Sequence, residues 1–304
     1  MSGTPFVIAA DDAEQQRSSS GMSIQAFLGS LVEPTRDLAR PPISNFRVGA
    51  VGLGSSGRVF RGVNLEFPGL PLHHSVHAEQ FLVANLAQHG EISIEFLAVS
   101  AAPCGHCRQF LQELRGAKDL ELFIVDGENS ETQLLSRFLP HRFGPDDLLA
   151  QDLDFPLLLE PRNNGLVLEG LDHKCYRGRE EDGLDLSGLE DARLRDAALE
   201  AANKSYAPYT GSPSGVAIFT RNARVFSGSY CESAAFNPSL PPLQAAIVAF
   251  VANGGGGYQD IVCAVLVETK NSSVQQAPTT RMALDQISPR CPLHVYYAGS
   301  PSKD

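Results

Sequence analysis

Two short pieces of this sequence hold residues that can do chemistry together: His77-Ala78-Glu79 and Pro103-Cys104-Gly105-His106-Cys107. Each alone is a weak signal. A histidine near a helix start is commonly a cap or a core residue, and a Cys-x-x-Cys pair can be a redox pair or half a zinc finger. Together they offer one nitrogen and two sulfurs. Cys104 and Cys107 stand three apart at the start of an expected helix, which turns both sulfurs to one side. The free N–H groups at that helix end favour thiolates over thiols. His77 opens another expected helix and can face the same point. Three protein ligands leave the fourth position of a tetrahedral zinc to water, as catalytic sites do, whereas a structural zinc normally has four. Glu79 follows the histidine by two residues. A carboxylate beside such a water is a candidate general base. The rival reading is a non-catalytic zinc module for protein contacts, and a carboxylate next to an incomplete ligand set speaks against it.

The remaining histidines and cysteines read more plainly. His106, between the two cysteines, is expected to be solvated. His73-His74 are expected to serve only the loop before the helix. The pairs His173/Cys175 and Cys291/His294 have spacings that zinc could use, but no partners nearby in sequence, and read as surface histidines and buried thiols.

The elements that must position the cluster follow from periodicity. Met22 to Leu38 carries Ile24, Phe27, Leu28, Leu31 and Leu38 at helical spacing, stopped by Pro41-Pro42. Val48 to Leu53 and Arg58 to Val63 read as strands joined by a turn at Ser55-Ser56-Gly57. Val76 to His89 reads as a buried helix closed by Gly90. Ile92 to Val99 is an expected strand, Cys104 to Leu114 a helix and Leu120 to Val125 a strand. Strands alternating with helices imply a three-layer α/β/α arrangement around a mixed sheet.

The second half repeats the first. RVFRGVNLE at Arg58–Glu66 matches RVFSGSYCE at Arg224–Glu232 at five positions without a gap, and Gly49 falls on Gly215 at the same offset. Leu243 to Asn253 takes the place of the helix that ends at Gly90, and Asp191 to Asn203 that of the opening helix. The sequence therefore predicts a tandem pair of one α/β unit. The expected division is a disordered segment over 1–21, a first unit over 22–150, a charged connector over 151–187 and a second unit over 188–304.

Length and composition set the outer limits. A chain of 304 residues, 43% hydrophobic and 19% charged, suits two globular units. No apolar run is long enough to span a bilayer, and no secretory signal is expected. A net charge of −11 repels a phosphate backbone, which argues against nucleic acid as substrate or partner. Six cysteines are too few for a disulfide scaffold at this length, so a reducing, cytoplasmic compartment is expected.

The H-x-E…P-C-x-x-C pattern is that of the zinc deaminases. From about Met22 to near its end, the chain resembles the cytidine deaminases, specifically the homodimeric class with one catalytic and one degenerate domain. The resemblance implies a hydrolase acting on a cyclic amidine C–N bond, which turns cytidine and deoxycytidine into uridine and deoxyuridine in pyrimidine salvage. It implies one Zn²⁺ per chain held by His77, Cys104 and Cys107, and a zinc-activated water for which Glu79 is the proton shuttle. Asn64-Leu65-Glu66-Phe67 looks like the ribose-binding segment, with Asn64 and Glu66 on the sugar hydroxyls. Phe46 resembles the aromatic that packs on the pyrimidine. The Ala78 N–H and the Ala102 carbonyl are implied to meet the ring at O2 and the 4-amino group. Leu139-Pro140 and Phe143-Gly144-Pro145 resemble a lid whose Phe143 reaches a site of its own or the neighbouring subunit. Within deaminases, polynucleotide editors need a basic groove that the charge contradicts. Deoxycytidylate deaminases need a phosphate site, and no basic cluster stands near Asn64 to Phe67.

Overall fold

The computed structural model describes residues 4–125, 130–149, 155–177 and 188–300. The chain divides into two compact units. The first contains Met1–Glu66, Leu72–Pro161 and Ser233–Ser239, the second Phe67–Pro71, Arg162–Glu232 and Leu240–Asp304. Each unit thus includes a short piece from the other half of the sequence.

In the first unit the order is β1 (Val7–Ile8), α1 (Ala10–Ser20), α2 (Ile24–Ser30), α3 (Val32–Arg36), β2 (Gly49–Gly54), β3 (Val59–Val63), α4 (Ala78–Gln88), β4 (Ile94–Val99), α5 (Gly105–Phe110), β5 (Glu121–Ile124), β6 (Glu131–Leu134), α6 (Leu135–Phe138) and α7 (Pro145–Leu148). The sheet runs β1-β3-β2-β4-β5-β6. The β4–β5 pair is parallel and the others antiparallel, because α5 and its following turns carry the chain over between β4 and β5. On one face, Phe27, Leu28 and Val32 of α2 and α3 pack with Val51, Val59, Phe96 and Ala98. On the other lies α4, whose Phe81, Leu82 and Leu86 are fully buried. Each such side chain contributes about 1.5–3 kcal/mol by leaving water. Gly62 allows the close approach of α4: a Cβ there would stand 2.3 Å from the Ala78 carbonyl oxygen. These faces make the expected helix–sheet–helix layers.

The expected disorder over 1–21 is not found in the part described, which begins at residue 4. Val7 and Ile8 pair with Phe60 and Val59, Phe6 stacks on Phe81 at 5.2 Å, and Ala13 is buried. The polar run reads as unstructured only when its few apolar residues are not credited with an edge strand to cover. The single helix expected over 22–38 is broken at Leu31 into α2 and α3.

In the second unit the order is β7 (Val167–Tyr176), α8 (Gly188–Asn203), β8 (Ser214–Thr220), β9 (Val225–Ser229), α9 (Pro242–Ala252), β10 (Ile261–Thr269), α10 (Ala277–Ile287) and β11 (Leu293–Gly299). Its sheet runs β7-β11-β10-β8-β9, with β10 and β11 parallel. The connector expected over 151–187 therefore contains a ten-residue strand, β7, which its weak periodicity and many charges concealed. Residues 151–154 and 178–187 of that connector lie outside the described residues. The repeat is visible atom by atom. A Cβ on Gly49 would meet Arg36 N at 2.7 Å and Val32 O at 2.8 Å, and one on Gly215 would meet Ala202 N at 2.3 Å and Ala198 O at 2.5 Å, at the same offset in sequence. His173 and Cys175 sit on β7, opposite Tyr296 and His294 of β11. Among the described residues, no helix is long and apolar enough to cross a membrane.

Candidate active site

His77 is the N-cap of α4 in extended backbone, and Cys104 is the N-cap of α5 in the same conformation. Both side chains are thereby thrown forward from helix starts, while Cys107 lies inside the first turn of α5. Pro103, directly before Cys104, suits such a start, since proline cannot continue a preceding element. The Cys104 sulfur lies 3.5 Å from His77 Nδ1 and 3.8 Å from the Cys107 sulfur. The three donor atoms fall within 4.8 Å of one another, and among the described residues they form the one such group of His, Cys, Asp or Glu. Ligands at ordinary tetrahedral zinc distances stand about 3.8 Å apart for two sulfurs and about 3.5 Å for sulfur and nitrogen. The donor set therefore fits zinc by both type and spacing.

Its electrostatics are those of a site that trades protons for a cation. Burial opposes a charge on His77, but the hydrogen bond and charge of Cys104, with Glu79, outweigh it and hold the imidazole above its usual value. The hydrogen bond with Cys107, against burial and together with His77, lowers the Cys104 thiol to about 3. Cys107 is pushed far up by that same contact and by burial. Metal binding displaces such protons. Glu79 is 4% exposed, and burial raises its pKa, so the group is suited to holding a proton.

His106 departs from expectation. It is half-buried, and its ring stacks on His77 at 4.5 Å with an interplanar angle of 15°. Its Nε2 is buried without a hydrogen-bond partner, and burial with the neighbouring His77 lowers its pKa to about 4. The sequence misses this because the turn of α5 swings the ring back over His77 instead of outward.

Asn64 and Glu66 both act on the loop before β2. The Asn64 carbonyl accepts from Val48 N–H at 2.9 Å and its amide donates to the Phe46 carbonyl at 2.9 Å. Glu66 accepts from Ile43 N–H at 2.8 Å, Ser44 N–H at 2.9 Å and the Ser44 hydroxyl at 2.5 Å. The loop so held presents Phe46 at 62% exposure. Ala78 is buried at the first residue of α4, and Ala102 is exposed two residues before Cys104. The stretch from Phe138 to Phe143 is tied to α5: Gln109 donates to the Phe143 carbonyl, and Arg108 donates to the Phe138 carbonyl at 3.2 Å. The Phe143 side chain is exposed. His73 and His74 lie in a short turn with their rings 4.5 Å apart.

Comparison with known proteins bears directly on this geometry. Residues 23–122 and, separately, residues 135–281 match the family described as cytidine and deoxycytidylate deaminase zinc-binding region. Cytidine deaminase 1 of Arabidopsis thaliana is 51% identical over 98% of this chain and 99% of its own. The chain belongs to the cytidine deaminase family. Cytidine deaminase 6 of the same plant is 45% identical over 98% of this chain and 99% of its own. The cytidine deaminase of Yersinia pestis (strain Pestoides F) is 38% identical over 93% of this chain and 87% of its own. The crystal structure of cytidine deaminase from Burkholderia pseudomallei covers 40% of this chain and 100% of its own at 29% identity, with a TM-score of 0.37.

The second deaminase-like unit holds different residues at the equivalent positions. Pro241 is the N-cap of α9 where His77 caps α4, and Leu243 stands for Glu79. Gln276 is the N-cap of α10 where Cys104 caps α5. Its N–H is taken by the buried Glu268 carboxylate at 2.6 Å. The sequence pattern did not single out Gln80 on α4 or Glu113 in the turn after α5, both buried polar residues. The signal available for Gln80 was its own repeat, since Gln244 stands at the matching place.

Proposed function

We propose that this protein hydrolyses the 4-amino group of free cytidine and deoxycytidine, with its working site in the first unit. The observation that carries the reading is the buried Glu79 beside three donors spaced for zinc. His77, Cys104 and Cys107 would hold the ion. Bound there, zinc supplies the Lewis acidity that makes water a nucleophile near neutral pH. Glu79 takes the proton given up by the attacking water and hands it to ring N3; it then takes the proton of the new C4 hydroxyl and delivers it to the amine, which leaves as ammonia as the C4 carbonyl forms. Its raised pKa suits a group that must hold and release the same proton. The Ala78 N–H orients ring O2 and the Ala102 carbonyl accepts from the 4-amino group. Phe46 covers the ring face, and the spare N–H of Asn64 reaches toward the sugar.

The finer points of the reading are pyrimidine salvage in the cytoplasm, one zinc per chain, and a homodimer in which Phe143 closes a site. Six free cysteines support the reducing compartment. The loss of both ligand types and of the base from the second unit supports one zinc. The test of substrate is ammonia release from purified protein given cytidine, deoxycytidine, CMP, cytosine or adenosine. Turnover confined to the two nucleosides of cytosine is expected, and CMP turned over as well as cytidine would overturn it. Sedimentation showing a fully active monomer would overturn the dimer.

A further inference from the structure

The stretch Ser233–Ser239 comes from the second half of the sequence but belongs to the first unit, and its two anchors lie on α4, which follows His77, and in the turn directly after α5, which carries Cys107. Ala234 N–H donates to Glu113 Oε1 at 2.7 Å. Glu113 is fully buried in the turn that continues α5, a few residues after Cys107. At the other end, the Pro238 carbonyl accepts from Gln80 Nε2 at 2.8 Å. Gln80 is 2% exposed, and its Oε1 accepts the His77 N–H at 3.2 Å. Between these anchors the stretch is folded on itself. Phe236 N–H donates to the Ser233 carbonyl at 2.8 Å, Ser239 N–H to the Phe236 carbonyl at 3.0 Å, and Ser233 N–H to the Ser239 hydroxyl at 3.0 Å. It is a short, internally bonded link.

We propose that Ser233–Ser239 is a brace for the zinc cluster, with Gln80 and Glu113 as positioning residues that hold the histidine-bearing helix against the cysteine-bearing one. A buried amide bonded at both ends has one orientation, so Gln80 fixes the backbone from which the His77 ring projects. Glu113 does the same for the run that follows the cysteines. Groups one step out from a metal ligand typically change metal affinity or activity by about 10–100-fold when altered. The repeat separates Gln80 from the proton chemistry. Gln244 keeps the glutamine in the second unit, where Pro241 and Leu243 replace the ligand and the base. The residue thus persists where the proton chemistry does not. The brace also gives the second half of the sequence a task in catalysis.

The test separates the brace from the helix cap. Gln80→Glu keeps an oxygen for the His77 N–H and loses the donor to Pro238. Glu113→Gln weakens the other anchor by removing its charge. Zinc transfer from the holoprotein to an excess of a chromogenic chelator is followed, with kcat, KM and Tm. Gln80→Glu should release zinc about 10–100-fold faster and lower kcat more than it changes KM. Glu113→Gln should act in the same direction more weakly, and the two should combine less than additively. Val59→Ala, a core change in the same unit, should lower Tm and leave zinc release alone. Wild-type release rates in both anchor variants would overturn the brace, as would equal acceleration in Val59→Ala. The proposal rests on His77, Cys104 and Cys107 being the zinc donors; zinc retained by Cys104→Ala would sink that assignment separately.

Discussion

Glu66 and Glu232, 166 positions apart in sequence, hold the same donors in their two units. Glu66 takes the N–H groups of Ile43 and Ser44 and the Ser44 hydroxyl. Glu232 takes the N–H groups of Tyr209 and Thr210, at 2.9 Å and 3.2 Å, and the Thr210 hydroxyl. A device kept in a unit without metal ligands or base is first of all a loop clamp. Glu232→Gln should cost about 1–3 kcal/mol in urea denaturation, since a charged acceptor becomes neutral in a buried place, with kcat unchanged. Glu66→Gln should cost a similar amount and also raise KM, because its loop carries Phe46. Equal kinetics in the two variants would contradict the assignment.

Glu79→Gln should keep zinc and lose turnover. The amide is nearly isosteric but cannot take up the water's proton, and general acid–base catalysis is typically worth about 10²–10⁴-fold. Zinc content and kcat, measured on the same preparation, check this. Activity within about tenfold of wild type, or loss of metal, would remove Glu79 from its role.

Metal analysis should return close to one zinc per chain. Changing Cys104 and Cys107 together to alanine should abolish both metal and activity, because Pro241, Leu243 and Gln276 leave the second unit with little affinity for zinc. Zinc retained by the double variant would mean that the donors lie elsewhere.

Acid should weaken the first unit through Glu91, which is 1% exposed. It accepts from the Ser55 hydroxyl, from the N–H and hydroxyl of Ser56, and from Arg58, whose Nη2 lies 2.6 Å away. Burial works against its charge, but these partners outweigh it and hold the carboxyl below its usual 4.5. A depressed folded-state pKa gives stability that is complete above the unfolded value and lost as pH falls through the folded one. Glu91→Gln should therefore lower stability by about 1–3 kcal/mol at pH 7. Its deficit should shrink as pH falls below about 4.5. A deficit independent of pH, measured by urea denaturation at several pH values, would show that the charge is not what matters.

The candidate metal donors, the carboxylate beside them and the repeat were legible in the sequence because each shows in the spacing of residues along the chain. Cys104 and Cys107 share one helical turn, His77 and Glu79 share a helix start, and the glycines at 49 and 215 fall at equal offsets. The tertiary structure alone decided the rest. That Asn64 and Glu66 clamp the Phe46 loop, that His106 lies on His77, and that Phe6 covers Phe81 depend on how separate elements pack. The Gln80–Pro238 bond joins residues 158 apart. No spacing in the chain pairs them: a polar side chain's partner is set by what burial brings beside it, and the sequence names only the side chain.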